Sequence, residues 1–183
     1  MKTSTSTNYR LGQQPLYVEL EPERVQETLD FVEAMRLDKV KHGVVDRMFD
    51  QNNTSEGINI IGHLGEQAVG QVMGIPVDTT VLTAGDDGSD MKFGDLTIQV
   101  KTSTLDKLIF NAKHLFTADI AILVQYIGKD RKTAAETPQF RIWGWVSRED
   151  FLKNYYNVDF GYGTRLVFDA AQLNTLKDLV EVA

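Results

Sequence analysis

Apolar residues recur at roughly helical spacing between positions 21 and about 37, at Val25, Leu29, Phe31, Val32, Met35 and Leu37, and predict an amphipathic helix. A polar Gln51-Asn52-Asn53-Thr54-Ser55 loop follows. Ile58, Ile61, Leu64, Ala68, Val69 and Val72 then predict a second helix that carries Glu66 and stops near Gly74 and Pro76. Downstream the period drops to two. β-Branched residues over 79–83 predict a strand, and Gly85-Asp86-Asp87-Gly88-Ser89 has strong turn chemistry. Asp90-Met91-Lys92-Phe93 and Leu96-Thr97-Ile98-Gln99-Val100-Lys101 alternate on either side of Gly94-Asp95, which predicts a hairpin with a two-residue loop.

A nearly continuous apolar run over 120–127 predicts a central strand, and residues 140–146 predict another with Trp143 and Trp145 on one face. Ser147, with Asp150 three residues on, reads as the N-cap of a short helix carrying Phe151, Leu152 and Tyr155. A strand over 164–168 and a helical segment from about Ala171 complete the pattern. The Ser/Thr/Gln/Asn-rich residues 1–15 are expected to be flexible, and 16–183 to form one α/β (α+β) domain.

Composition narrows the chemistry. The 183 residues are 42% hydrophobic and 25% charged, an ordinary globular balance. No cysteine is present, so disulfides, thiolate metal sites and cysteine nucleophiles are excluded, and any metal must be held by oxygen or imidazole. The polar N-terminus and the lack of an apolar run of roughly 18 residues lead to the expectation of a cytoplasmic protein without a membrane partner. The net charge of −7 counts against a broad nonspecific nucleic-acid surface, but leaves room for a local basic cleft.

The predicted hairpin sets Phe93 against Leu96, Lys92 against Thr97, Met91 against Ile98 and Asp90 against Gln99. One face is then Met91, Phe93, Leu96, Ile98 and Val100; the other is Asp90, Lys92, Thr97, Gln99 and Lys101. Opposed Cβ atoms lie about 4.5–5.5 Å apart, so Asp90 and Gln99 could place two oxygens around one small cation, with Lys101 beside them. Any half-buried antiparallel sheet also gives one apolar and one polar face, and on pattern alone that reading stands beside the functional one.

Gly62-His63-Leu64-Gly65-Glu66 on a helix, Asp86-Asp87-Gly88-Ser89-Asp90 after a turn, and Gln99-Val100-Lys101-Thr102-Ser103 on the next strand together resemble the PD-(D/E)xK nuclease superfamily. The similarity extends more weakly through the strand near 119–127 and Trp143-Gly144-Trp145-Val146-Ser147-Arg148-Glu149-Asp150-Phe151, over roughly residues 56–170. The resemblance implies a restriction-endonuclease-like fold, a central mixed β-sheet flanked by helices. It implies a metal-dependent DNA endonuclease in which Asp90, Gln99, the Val100 carbonyl and Glu66 hold Mg²⁺, or Mn²⁺ as a substitute. Lys101 would position the attacking water or neutralise the transition state. Gln99 departs from the family pattern, which has Asp or Glu there; its amide oxygen can coordinate a hard cation but adds no negative charge. A catalytically impaired nuclease-fold protein acting as a nucleic-acid or protein binding module is therefore the alternative.

Lys92 is a candidate phosphate contact with a solvated lysine as the alternative, Thr102 and Ser103 are candidate backbone contacts, and Lys107 and Lys113 lie outside the core assignment. His42, His63 and His114 lack metal-ligand spacing and are read as structural or surface residues. No Lys-Ser/Thr follows the 85–88 glycines, which excludes a P-loop, and no closing glutamate supports an EF-hand. Cutting both DNA strands would take two subunits or two events, so a homodimer is a possible assembly.

Overall fold

The computed structural model describes residues 14–43, 55–79 and 88–182. The segment expected to be flexible, the strand expected over 79–83 and turn residues 85–87 fall wholly or mostly outside these residues. The elements are β1 (Leu16–Glu19), α1 (Pro22–Lys41), α2 (Ser55–Met73), β2 (Met91–Phe93), β3 (Leu96–Ser103), β4 (Lys107–Phe110) and β5 (Ile120–Tyr126). They continue with β6 (Gln139–Ser147), α3 (Arg148–Asn154), β7 (Tyr156–Asp159), β8 (Thr164–Asp169) and α4 (Leu176–Val182). Pro22 opens α1, where its fixed φ suits the first turn and its missing N–H is not needed. Gly74 ends α2 at φ 67°, a conformation that a Cβ would oppose. Among the described residues, no helix is long and apolar enough to cross a membrane.

The chain is mixed α/β. Five strands form a mixed sheet in the order β1-β6-β5-β3-β2, and three form a second sheet in the order β4-β8-β7. Only β3 and β5 run parallel in the larger sheet. A parallel pair needs a long crossover, and here residues 104–119 supply it, carrying β4 and a 3₁₀ turn over one face of the sheet. Helix α2 covers the opposite face. Ile61, Leu64, Ala68 and Val69 of α2 pack with Met91, Ile98, Val100, Ile122 and Ile142 in one core. Leu108, Phe110, Phe116, Leu123, Val146 and Phe151 form a second core between the crossover, the small sheet and α3.

The hairpin register agrees with the sequence over Phe93 opposite Leu96, Lys92 opposite Thr97 and Met91 opposite Ile98, and Gly94 takes φ 59° in the two-residue turn. Ser147 caps α3 as expected, its hydroxyl accepting from the Asp150 N–H at 3.0 Å. Trp143 and Trp145 do not share a face, contrary to the alternation of the sequence. Val124 pairs with Ile142 but Leu123 pairs with Gly144, so the ladder skips Trp143, and Gly144 adopts φ 141°. This bulge turns Trp145 into the core under α2 and leaves Trp143 against the other core.

Candidate functional site

Strand β3 organises the candidate residues because its two faces meet different layers. Ile98 and Val100 point toward α2, whereas Gln99 and Lys101 lie beside Ala121 and Leu123 of β5, members of the second core. The face expected to be polar is therefore covered. Gln99 is 7% exposed, and its Nε2 donates to the Leu115 carbonyl at 3.1 Å. A carbonyl only accepts, so this bond fixes the amide orientation and leaves Oε1 as the other end. That oxygen is buried without a hydrogen-bond partner. A buried unsatisfied acceptor costs about 1–3 kcal/mol, a cost that a water or an ion at that oxygen would relieve.

Asp90 approaches β3 differently from the simple register. The ladder ends at Met91 opposite Ile98, and the Asp90 N–H also donates to the Ile98 carbonyl, at 2.8 Å. Two consecutive residues thus address one partner, a bulge that takes Asp90 out of the direct opposition to Gln99 expected from the sequence. Its Oδ2 instead accepts from the Val100 N–H at 2.6 Å, a charge-assisted bond on the stretch of β3 that β2 no longer covers. Within a strand the N–H and C=O of one residue point to the same edge, so the Val100 carbonyl opens on the edge at which Asp90 docks.

Lys101 lies on the Gln99 face, its ammonium 5.2 Å from the centre of the Phe110 ring. Glu66 is 9% exposed on α2, and its Oε2 lies 2.7 Å from His63 Nδ1. Helix α2 packs against the Ile98 and Val100 face, so Glu66 belongs to the layer opposite Gln99 and Lys101. Asp90, Gln99, Val100 and Lys101 are thus gathered along one strand, whereas Glu66 is carried by α2 in the other layer with His63 as its partner. Among the described residues, no group of three or more His, Cys, Asp or Glu side chains is arranged to hold a metal ion.

The secondary candidates separate. Thr102 faces α2, where its Oγ1 donates to the Gly62 carbonyl at 3.4 Å. Lys92 is exposed on β2. Lys107 pairs with Asp169 at 2.5 Å, and Lys113 lies 5.2 Å from the centre of the Tyr155 ring.

The sequence reading missed the parts that support Gln99. Arg148 Nε donates to the Phe116 carbonyl at 2.7 Å, and Asp119 Oδ2 accepts from Thr97 N and Oγ1 at 2.8 and 2.6 Å. The Thr97 hydroxyl and N–H hold the Asp119 carboxyl below its ordinary range. Thr117 Oγ1 donates to the Gly88 carbonyl at 3.3 Å, tying the crossover to the segment that delivers Asp90. His63 is the partner of Glu66, at an i,i+3 spacing that is visible in the sequence. No family model, curated protein or solved structure matches the chain.

Proposed function

We propose that the chain is a Mg²⁺-dependent DNA endonuclease of restriction-endonuclease-like fold, hydrolysing phosphodiester bonds at Asp90, Gln99 and Lys101 with Glu66 contributing from α2. The observation that carries this reading is the buried Gln99 Oε1, an acceptor without a donor, one residue before the position where Asp90 docks. Mg²⁺ takes oxygen ligands and needs only one or two protein carboxylates beside waters and substrate phosphate oxygens. Asp90, Gln99 Oε1 and the Val100 carbonyl fit that requirement in kind. Bound there, the ion would stabilise charge on the phosphate and lower the pKa of a water.

The chain's own residues divide the remaining work. Asp90 supplies negative charge where Gln99 supplies only a dipole, and its bond to Val100 N–H fixes its approach. A carboxylate oxygen has more than one lone-pair site, so that bond leaves coordination capacity. Lys101 would hold a positive charge beside the scissile phosphate or orient the water, and the Phe110 ring limits where its ammonium sits. Glu66, braced by His63, would act through water from the other layer.

The test is incubation with plasmid, linear and single-stranded DNA in Mg²⁺ or Mn²⁺, alongside Asp90→Asn and Lys101→Ala. Metal-dependent cleavage lost in both variants is the expected result; cleavage that survives in both, or its absence in wild type, overturns the proposal. The structural work done by Asp90 at Val100 favours a second reading, a binding module without hydrolysis, which predicts DNA retention with no product.

A further inference from the structure

Past Lys101, strand β3 ends at Ser103 on the same face, two residues and therefore on the order of 7 Å further along the strand. There a cavity of ≈ 310 Å³ opens, lined by Ser103, Asn111, Arg131, Phe160, Tyr162 and Arg165 among others, with no acidic side chain in its lining. In a chain with a net charge of −7, a groove lined by two arginines and no acidic side chain stands apart from the composition. Arg131 donates to Thr104 Oγ1 at 2.9 Å, and Arg165 donates to the Thr164 and Tyr162 carbonyls at 3.2 and 3.4 Å. Neither guanidinium forms an ion pair with a carboxylate among the described residues, and both bond only neutral oxygens.

The aromatic pair supplies the complementary chemistry. Phe160 and Tyr162 lie 19° from parallel with centroids 6.4 Å apart, and the Arg165 guanidinium lies 5.5 Å from the centre of the Tyr162 ring. Tyr162 is 64% exposed, which leaves much of its ring open to a ligand. Flat apolar surface beside unpaired guanidinium groups suits a ligand that alternates flat rings with anionic groups, which is the chemistry of an unpaired nucleic-acid strand. A duplex keeps its bases stacked inside and offers no ring to Tyr162.

We propose that this groove binds single-stranded nucleic acid, one base stacking on Tyr162 and Phe160 and adjacent phosphates lying on Arg131 and Arg165. The proposal deepens the nuclease reading and rests on it only for the direction of the strand, which would run from the groove along β3 toward Lys101. Binding itself is independent of metal.

The experiment is fluorescence anisotropy in EDTA with a labelled oligothymidylate, its RNA counterpart and a DNA duplex. Wild type is compared with Tyr162→Ala, Tyr162→Phe and an Arg131→Ala/Arg165→Ala double variant, each checked by circular dichroism for retained fold. Wild type should prefer the single strands. Tyr162→Ala should weaken that binding about tenfold, Tyr162→Phe should retain it, and the double variant should lower the slope of log affinity against log salt by about 1.4, at ~0.7 per phosphate. Equal losses for RNA and DNA mean that base and phosphate alone are read, and a loss for DNA only means that the sugar is read too; either supports the groove. Unchanged affinity in both the Tyr162→Ala and the double variants, or a duplex bound as tightly as the strands, overturns it. Metal-dependent cleavage without groove-dependent binding would sink this inference and spare the nuclease reading; groove-dependent binding without cleavage would do the reverse.

Discussion

The Gln99 Nε2 donates to the Leu115 carbonyl at 3.1 Å, and this one bond decides that Oε1 is the end of the buried amide left without a partner. The oxygen is placed by a strand on one side and a crossover on the other, so residue 99 reports on both the fold and the site. Gln99→Glu should therefore lower stability in EDTA at neutral pH by about 2–4 kcal/mol, the cost of ionising or protonating a buried carboxyl. Burial raises the folded-state pKa of such a group, so the deficit opens above the unfolded value near pH 4 and vanishes below it. Mg²⁺ should recover part of the loss if the carboxylate meets the ion. Thermal denaturation with and without Mg²⁺ measures both effects.

Asp90 has a structural task that can be separated from the chemical one proposed for it. Asp90→Ala removes the acceptor for the Val100 N–H and should cost about 1.5–3 kcal/mol, as expected for a bond to a charged group. Asp90→Asn keeps an oxygen acceptor of the same shape and should cost about 1 kcal/mol or less, while removing the negative charge. Urea denaturation beside cleavage assays should thus find Asp90→Asn close to wild type in stability and far below it in rate.

Glu66 is carried by a helix whose distance from β3 depends on a missing side chain. A Cβ at Gly65 would collide with Thr102 Oγ1, and Thr102 also bonds the Gly62 carbonyl. Gly65→Ala should destabilise by about 1–3 kcal/mol through overpacking. Adding Thr102→Ala should restore part of that loss, a non-additivity visible in a double-mutant cycle by chemical denaturation. Equal and additive costs would remove the contact from the account.

Much of the β3 hairpin was legible because its turn residues and its alternation point to the same register, and Ser147 was legible as a cap because the Ser147–Asp150 bond is local. The small sheet was not anticipated. Strands β4 and β7 have four residues each, β4 pairing with β8 far along the chain and β7 with β8 across a short loop, and both patterns are too short to read. The burial of Gln99 escaped for the same reason, since the crossover that covers it owes its position to Arg148 and Asp119. Bulges at Asp90 and Trp143 each shift alternation by one residue, which defeats a period-two argument locally.

The small sheet has its own electrostatic clasp, and it gives a pH dependence. Hydrogen bonds to Asp169 and Tyr156 raise Lys107 above its ordinary range; burial pushes the Asp169 carboxyl up, but the bonds from Lys107 and Tyr156 outweigh it and hold it low. Stability from the depressed carboxyl is present above its unfolded value of 3.8 and lost as pH falls through its lower folded value. Stability from the raised lysine is present below 10.5 and lost only as pH rises through its higher folded value. Asp169→Asn should therefore cost about 1 kcal/mol or less at neutral pH, since both groups are partly exposed and screened. The difference from wild type should close under acid, as followed by urea melts between neutral pH and about pH 2.

The central claim, that residue 99 belongs to the coordination shell of a catalytic cation, is tested most directly by the Mg²⁺ dependence of DNA cleavage by wild type and Gln99→Glu. A carboxylate in place of the amide adds a full charge at the ligand position, so half-maximal activation should move to Mg²⁺ concentrations lower by about tenfold or more. Identical Mg²⁺ curves for the two proteins, or no Mg²⁺-dependent cleavage by either, would contradict the account.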